Sequence, residues 1–430
     1  MSTVSRRHFF QGAALAASAM RVQGANDRIN LGIIGLGGRG ADHTRTYLEI
    51  PGARVAALCD VNQAAREKLN AVVMKAGQEK AKEFNDMREL YADKGVDAVS
   101  IATPNHWHAL STIWACQAGK DVYCEKPASH NIHEGFRMVE VARKTGRLVQ
   151  IGSQSRSTEH KMRAMQLLHD GVIGKIYMAK GLCFKRRKSI NRTPPEKVPA
   201  GIDWNLFLGP APMREFTWNR FRYNWHWFWD TGNGDIGNQG VHEMDIALWG
   251  TKTSALPKFT VSTGGKFAYD DDQETPNTQI ATFEYPGLEI QFEVRGLITG
   301  PEGNLPVRGN NTIGNIFWGT EGWMQVDGGG FQVYKGEPQE KLMDEKPGKG
   351  GAYDTKAHME NFLAAVRTRK HTDLHADIEV GARAAALCHL ANISYRVGRK
   401  LAWDDAKKQF SGDAEANKLI TRDYRKPYVV

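Results

Sequence analysis

An apolar run ending in a spaced set of glycines constrains this 430-residue chain more than any other feature. Ile29 to Ile34 leads straight into Gly35-x-Gly37-x-x-Gly40, with Gly38 and Arg39 between the last two glycines. Gly35 permits a tight turn off a strand, and Gly37 lets backbone amides approach a pyrophosphate. Gly40 lets the following helix pack close to the sheet with its positive end at the phosphates. A second apolar run, Val55 to Cys59, ends in Asp60, twenty residues after Gly40, where a carboxylate holds the adenine ribose hydroxyls. An acid there repels a 2′-phosphate, so NAD is expected in preference to NADP.

From Ala41 helices and strands alternate. Gln63 to Ala76 has helical period, and Val96 to Ala102 is a buried strand running into a loop, Thr103-Pro104-Asn105-His106-Trp107-His108. A helix from Ala109 to Ala118 follows, then a strand, Asp121 to Cys124, that ends in Glu125-Lys126-Pro127. A helix over Ile132 to Thr145 and a strand over Leu148 to Ile151 complete the pattern of a parallel sheet wound with helices. Loops at the carboxyl ends of such strands line the cofactor crevice. A lysine at such a strand end, as Lys126 is, would have its charged form disfavoured if a cationic nicotinamide lay close, and could then exchange a proton with a substrate hydroxyl near neutral pH.

Taken together, the glycine pattern, Asp60, Thr103-Pro104-Asn105 with His108, and Glu125-Lys126-Pro127 resemble the glucose–fructose oxidoreductase, inositol dehydrogenase and MocA (Gfo/Idh/MocA) family. The resemblance implies an α/β chain: an N-terminal Rossmann domain and a C-terminal α/β domain on a large, mostly antiparallel open sheet. It divides the chain at 26–151 and 152–430, with late helices packing back on the Rossmann domain. It implies that Lys126 sits beside the nicotinamide and the reacting hydroxyl, and that Pro127 follows through a bond that is often cis. Gln154 would contact the nicotinamide ribose region. In the motif Asn238-Gln239-Gly240-Val241-His242, His242 matches the family's histidine, but Asn238 stands where the family has aspartate. An amide orients a hydroxyl and cannot take its proton, so the base role shifts to His242 or Lys126. His242 and Asp245 are three apart, on one helix face.

The second half also carries an aromatic run. Phe221, Tyr223, Trp225, Trp227 and Trp229 recur at every second position, one face of an extended chain. Two readings stay open: stacking on sugar C–H surfaces, with Trp225 and Trp227 at the pocket, or packing against the sheet or a neighbouring subunit. Segments from Phe259 to Val326 alternate as strands, and Glu337 to Gly351 reads as an exposed, charged loop. Helices over His358 to Arg369 and Ile378 to Gly398 close the chain. His358 is a further candidate for the site, whereas His371, His375 and His389 read as structural.

Composition narrows the partners. Hydrophobic residues are 41% and charged residues 24%, as in an ordinary globular protein. The net charge of +9 is spread along the chain, and its one cluster, Lys185-Arg186-Arg187-Lys188, reads as a solvated loop. No nucleic-acid module is recognisable. Five cysteines without ligand spacing argue against disulfides or zinc, and His106 and His108 have no third ligand, so no metal is expected. Residues 1–25 carry Ser5-Arg6-Arg7-His8-Phe9-Phe10 before an alanine-rich run, which resembles a twin-arginine export signal. That run is too short to span a bilayer. Export through the twin-arginine machinery to a periplasm would separate the protein from the cytoplasmic nucleotide pool, so a tightly bound NAD is expected. Three functions compete: oxidation of a sugar or glycoside hydroxyl, glycoside hydrolysis by transient oxidation at C3, or sugar binding without catalysis. By resemblance, a dimer or tetramer is expected.

Overall fold

The computed structural model describes residues 28–348 and 351–430. The twin-arginine segment lies outside them. The N-terminal unit runs β1 (Ile29–Ile34), α1 (Gly38–Leu48), β2 (Ala53–Cys59), α2 (Gln63–Lys75), β3 (Lys82–Phe84), α3 (Met87–Ala92), β4 (Ala98–Ile101), α4 (Asn105–Gln117), β5 (Asp121–Cys124), α5 (Ile132–Thr145) and β6 (Val149–Ile151). Its strands pair in the order β3-β2-β1-β4-β5-β6, every pair parallel. The order reverses between β1 and β4, which opens a crevice at their carboxyl ends. All four residues of β4 and of β5 are buried, as helices on both faces of a parallel sheet require.

The second unit begins with α6 (Glu159–His169) and β7 (Ile176–Lys185). It continues through short helices α7 (Trp204–Leu208), α8 (Trp218–Phe221), α9 (Gly234–Asn238) and the longer α10 (Gly240–Gly250). Seven strands follow: β8 (Phe259–Gly265), β9 (Thr278–Tyr285), β10 (Leu288–Arg295), β11 (Asn311–Gly319), β12 (Gly322–Asp327), β13 (Gly330–Lys335) and β14 (Glu340–Glu345). Last come α11 (Thr355–Thr368), α12 (Ile378–Val397), β15 (Leu401–Asp404), β16 (Gln409–Phe410) and α13 (Ala414–Lys418). The ten-stranded sheet has the order β14-β13-β12-β11-β7-β10-β9-β8-β15-β16, with β7 and β10 its parallel pair. β14 lies within the segment read as a charged loop: its side chains are mostly exposed, so the apolar alternation that marks a half-buried strand is missing.

The late helices bind the two units together. Met359, Phe362 and Leu363 of α11 enter the core around β1 and Tyr47, and Ile378 and Ala385 of α12 enter the core under α4 and α5. Other residues of α12, such as Leu387 and Leu390, belong to the core of the large sheet. Ile151 donates its backbone N–H to Ala376 at 2.9 Å. Arg143 pairs with Asp377, and Arg369 with Asp121. All five cysteines are buried and unpaired. Among the described residues no helix is long and apolar enough to cross a membrane.

Candidate functional site

A cleft of about 660 Å³ lies at the strand-order reversal, between the two units. Its Rossmann wall follows from the glycines. Gly35 has φ +81°, and a Cβ on Gly40 would lie 1.8 Å from the Gly35 carbonyl oxygen, so neither tolerates a side chain. A Cβ on Gly37 or Gly38 would meet no protein atom, which leaves room for a ligand against the start of α1. Among the described residues no side chain caps that helix end, which leaves its amides open to a ligand in the cleft. Asp60 ends β2 at the other side of the turn; its Oδ2 accepts from Leu36 N at 2.6 Å and its Oδ1 from Asn62 N at 2.8 Å. Buried Thr103 Oγ1 has no partner among the described residues and borders the same space. An open cradle, a free helix start, a ribose-side carboxylate and an orphaned hydroxyl together fit a dinucleotide.

Two expectations for this wall are corrected. Residues 105–108 are not loop: α4 begins at Asn105, because Pro104 fixes the entry and the first turn is already buried. Pro104 and Asn105 still line the cleft, and Asn105 Nδ2 donates to Asn233 Oδ1 at 2.9 Å, joining the two walls. His108 lines it too, but its ring nitrogens lie 2.7 Å from the Pro127 carbonyl and 2.9 Å from that of Thr103, so it ties two loops together. Gln154 does not reach the cleft lining. Its amide donates to Glu125 Oε1 at 3.0 Å and to Tyr123 Oη at 2.9 Å, so it acts behind the wall.

Glu125 is the brace of the site. Besides Gln154, Arg39 Nε donates to its Oε1 at 2.7 Å and His43 Nε2 lies 3.0 Å away. Burial alone would raise this carboxyl, but Arg39 and His43 hold it well below the usual carboxylate range. A Cβ on Gly152 would fall 2.8 Å from the carboxylate, so that glycine makes the space. His43 has no sequence signal beyond its place on α1.

Beyond this brace stands Lys126, whose peptide bond to Pro127 is cis. Its Nζ donates to the Asn238 carbonyl at 2.7 Å and approaches Asn238 Oδ1 at 3.4 Å. Asn238 Nδ2 donates to Tyr223 Oη at 3.1 Å. Burial lowers the Lys126 pKa, Glu125 opposes that, and Arg39 and Lys185 add to it. His242 is buried one turn past Asn238, outside the cleft lining, with its ring 5.5 Å from that of Tyr353. Its Nδ1 has no partner among the described residues, and burial with the nearby charge of Lys126 pushes its pKa well down, so it is neutral. Asp245 does not join it. Both Asp245 oxygens accept from Arg156 Nε, at 3.0 and 2.8 Å, and the carboxylate is buried away from the cleft.

The aromatic run is not extended. It folds as α8 and a 3₁₀ turn over Tyr223–Trp227, so the two-residue period no longer selects one face. Tyr223, Trp225 and His226 line the cleft, with Trp225 stacked on His226 at 3.5 Å. Trp227 is buried behind them, under the Arg187 guanidinium at 5.0 Å. That arginine also corrects the reading of the basic cluster as solvated loop: Arg187 holds Asp235 through two bonds of 2.9 and 2.7 Å, and Lys185 lines the cleft. Lys185 and His226 are cleft residues that the sequence did not mark as such, and the end of the β7 apolar run at Lys185 was the available signal; Tyr223, marked as part of the aromatic run, does reach the cleft.

A strap closes the other end. Residues 198–221 cross from the second unit onto the ribose side: Gln63 N donates to Gly201 O, and Asp203 N to Val61 O, both at 2.9 Å. Trp107 Nε1 and His106 Nε2 meet the Phe207 carbonyl at 3.0 and 2.9 Å. Beneath them Trp204, Phe207, Leu208 and Phe216 form a small core that includes Val61.

Comparison with known proteins follows the same division. The family profile described as "Oxidoreductase family, NAD-binding Rossmann fold" matches residues 29–153. The profile described as "Oxidoreductase family, C-terminal alpha/beta domain" matches 160–259 and 326–430. A glycosyl hydrolase family 109 protein of Saccharopolyspora erythraea is 32% identical over 162 residues, 36% of this chain and 35% of that one. An inositol 2-dehydrogenase of Salmonella typhimurium is 32% identical over 180 residues, 40% of this chain and 50% of that one. The matches thus span a third to a half of these relatives. The solved structure of levoglucosan dehydrogenase with NADH and levoglucosan has the same fold, with a TM-score of 0.66 at 17% identity over 87% of this chain and 99% of that one. On its two domains, matched in order, the chain belongs to the Gfo/Idh/MocA oxidoreductase family.

Proposed function

We propose that this chain oxidises a hydroxyl of a sugar or glycoside with an NAD that it retains. The observation that carries the reading is Lys126, held in the cleft by the Asn238 carbonyl above a braced Glu125. Bound NAD supplies the acceptor for the substrate's hydride. Lys126, with its ammonium form disfavoured, takes the hydroxyl proton at Nζ. Asn238 orients that amine and cannot itself accept the proton. His242 lies buried outside the cleft lining with its pKa pushed well down, so Lys126 is the better-placed acceptor. Asp60 and Asp86 both line the ribose end, and their charge disfavours a 2′-phosphate, which favours NAD over NADP.

The strap's contacts with Val61, Gln63 and α4 on the ribose side support retention. Retention also fits export by the twin-arginine route to a periplasm. A second reading, glycoside hydrolysis by transient oxidation and return of the hydride, is favoured by the similarity to a family 109 glycosyl hydrolase. It needs no external acceptor. The family resemblance further supports a homo-oligomer.

The test begins with protein purified without added nucleotide, then denatured. Near-stoichiometric release of NAD and NADH is expected; an empty protein would overturn retention. Incubation with sugars and glycosides then separates the readings. Ketosugar formed in proportion to an added electron acceptor supports oxidation, free sugar released without acceptor supports hydrolysis, and neither product overturns both.

A further inference from the structure

Lys185 ends β7 at the Lys126 end of the cleft, and its half-buried side chain has no hydrogen bond or ion pair among the described residues. The nearby acids are already engaged. Asp235 is held through both oxygens by Arg187, and Glu125 by Arg39 and His43. Asp60 and Asp86 lie at the opposite, ribose end. The Lys126 Nζ bonds to a carbonyl and an amide oxygen, and only its backbone N–H meets the Glu125 carboxylate. Lys185 therefore brings to the Lys126 end of the cleft a charge that no free carboxylate among the described residues balances, next to where a cationic nicotinamide would lie. Partly desolvated, unbalanced positive charge is unfavourable, and a ligand anion relieves it. The dinucleotide's pyrophosphate has its own donors at the start of α1, in the facing domain.

We propose that Lys185 recognises an anionic group on the sugar, so that the substrate is an acidic sugar: a uronate or a sugar phosphate. This rests on the sugar-oxidation reading and names its substrate class. The two anions share one chemistry, a multidentate oxyanion that an ammonium can meet at any angle.

The experiment uses the full chain with its bound nucleotide. Glucose and galactose are each compared with the matching uronate and 6-phosphate, for turnover and for the ligand-induced rise in melting temperature. One or both anionic series should be preferred in kcat/KM, and Lys185→Ala should lower the anionic-to-neutral ratio by about tenfold or more. Lys185→Arg should keep most of the preference, and Lys185→Glu should abolish it. Preference for the uronate or for the phosphate series identifies the anion. Thermal stabilisation by the anionic sugars, lost in Lys185→Ala, would uphold the recognition even if no sugar is oxidised, in which case only the redox reading falls. Equal use of neutral and anionic sugars, or a ratio unchanged by Lys185→Ala, overturns the proposal. So does loss of bound nucleotide in Lys185→Ala, which would assign the lysine to the dinucleotide.

Discussion

In the proposed reading Lys126 takes the proton and Asn238 only orients the amine, at the position where the resemblance implies an aspartate. At Lys126 burial, joined by Arg39 and Lys185, outweighs the opposing charge of Glu125, so the neutral amine is reached at lower pH than for a solvent lysine. Oxidation should therefore rise with pH through the Lys126 pKa. Asn238→Asp places an anion against the ammonium and favours its protonated form. The rising limb of the pH–rate profile should move up by about one unit. An unmoved limb would remove this position from the proton path. Lys126→Ala should lower kcat by about 100- to 10,000-fold while released NAD stays stoichiometric, as expected for loss of a general base and not of a binding contact. Glu125 is a different case: enclosed by Arg39, His43 and Gln154, it positions the turn that carries Lys126.

At the scale of elements, the strap is the part that a Rossmann pattern does not contain. Its grip comes from a small aromatic core, with Trp204 and Phe207 stacked at 4.9 Å and 13° between planes. Trp204 supports Phe207 without lining the cleft. Removing a buried tryptophan costs about 3–5 kcal/mol, taken here from the closed strap. Trp204→Ala should therefore speed NAD dissociation by about tenfold or more, followed by exchange of labelled NAD. An unchanged exchange rate would mean that the strap does not retain the nucleotide.

For the whole molecule, acid sensitivity follows from buried histidines between the two units. Burial pushes the His358 pKa down to about 4, and those of His106 and His389 to about 3. Each is neutral in the folded state and charges near pH 6.5 in the unfolded chain. Folding then binds fewer protons than unfolding, so stability is full above about pH 6.5 and falls as pH drops toward 4. Each group removes about 2 kcal/mol by pH 5. Urea midpoints measured from pH 7 to 5 should fall, and His389→Gln should make the fall shallower. A flat profile in the native chain would show that these histidines are already solvated. His358, a candidate for the site by sequence, belongs to this group: its Nε2 meets the Ile151 carbonyl at 2.9 Å and its Nδ1 meets Ser157 Oγ at 2.6 Å.

The sequence by itself determined the Rossmann unit and one wall of the site, because both depend on local rules. Glycine spacing, an acid at a strand end and alternating apolar runs each act within about thirty residues. The late helices were legible for the same reason, through their apolar faces. Tertiary structure decided what depends on partners distant in the chain. Arg156, eighty-nine residues away, removes Asp245 from the site, and Asp235 draws Arg187 out of a supposed loop and leaves Lys185 facing the cleft. The aromatic period of two predicted one face of an extended chain, but Phe221 and Trp225 pack on the small core beside Val61, Tyr223 bonds Asn238, and Trp227 lies under Arg187. A period records which residues share a face only once the backbone conformation is known, and here long-range packing set that conformation.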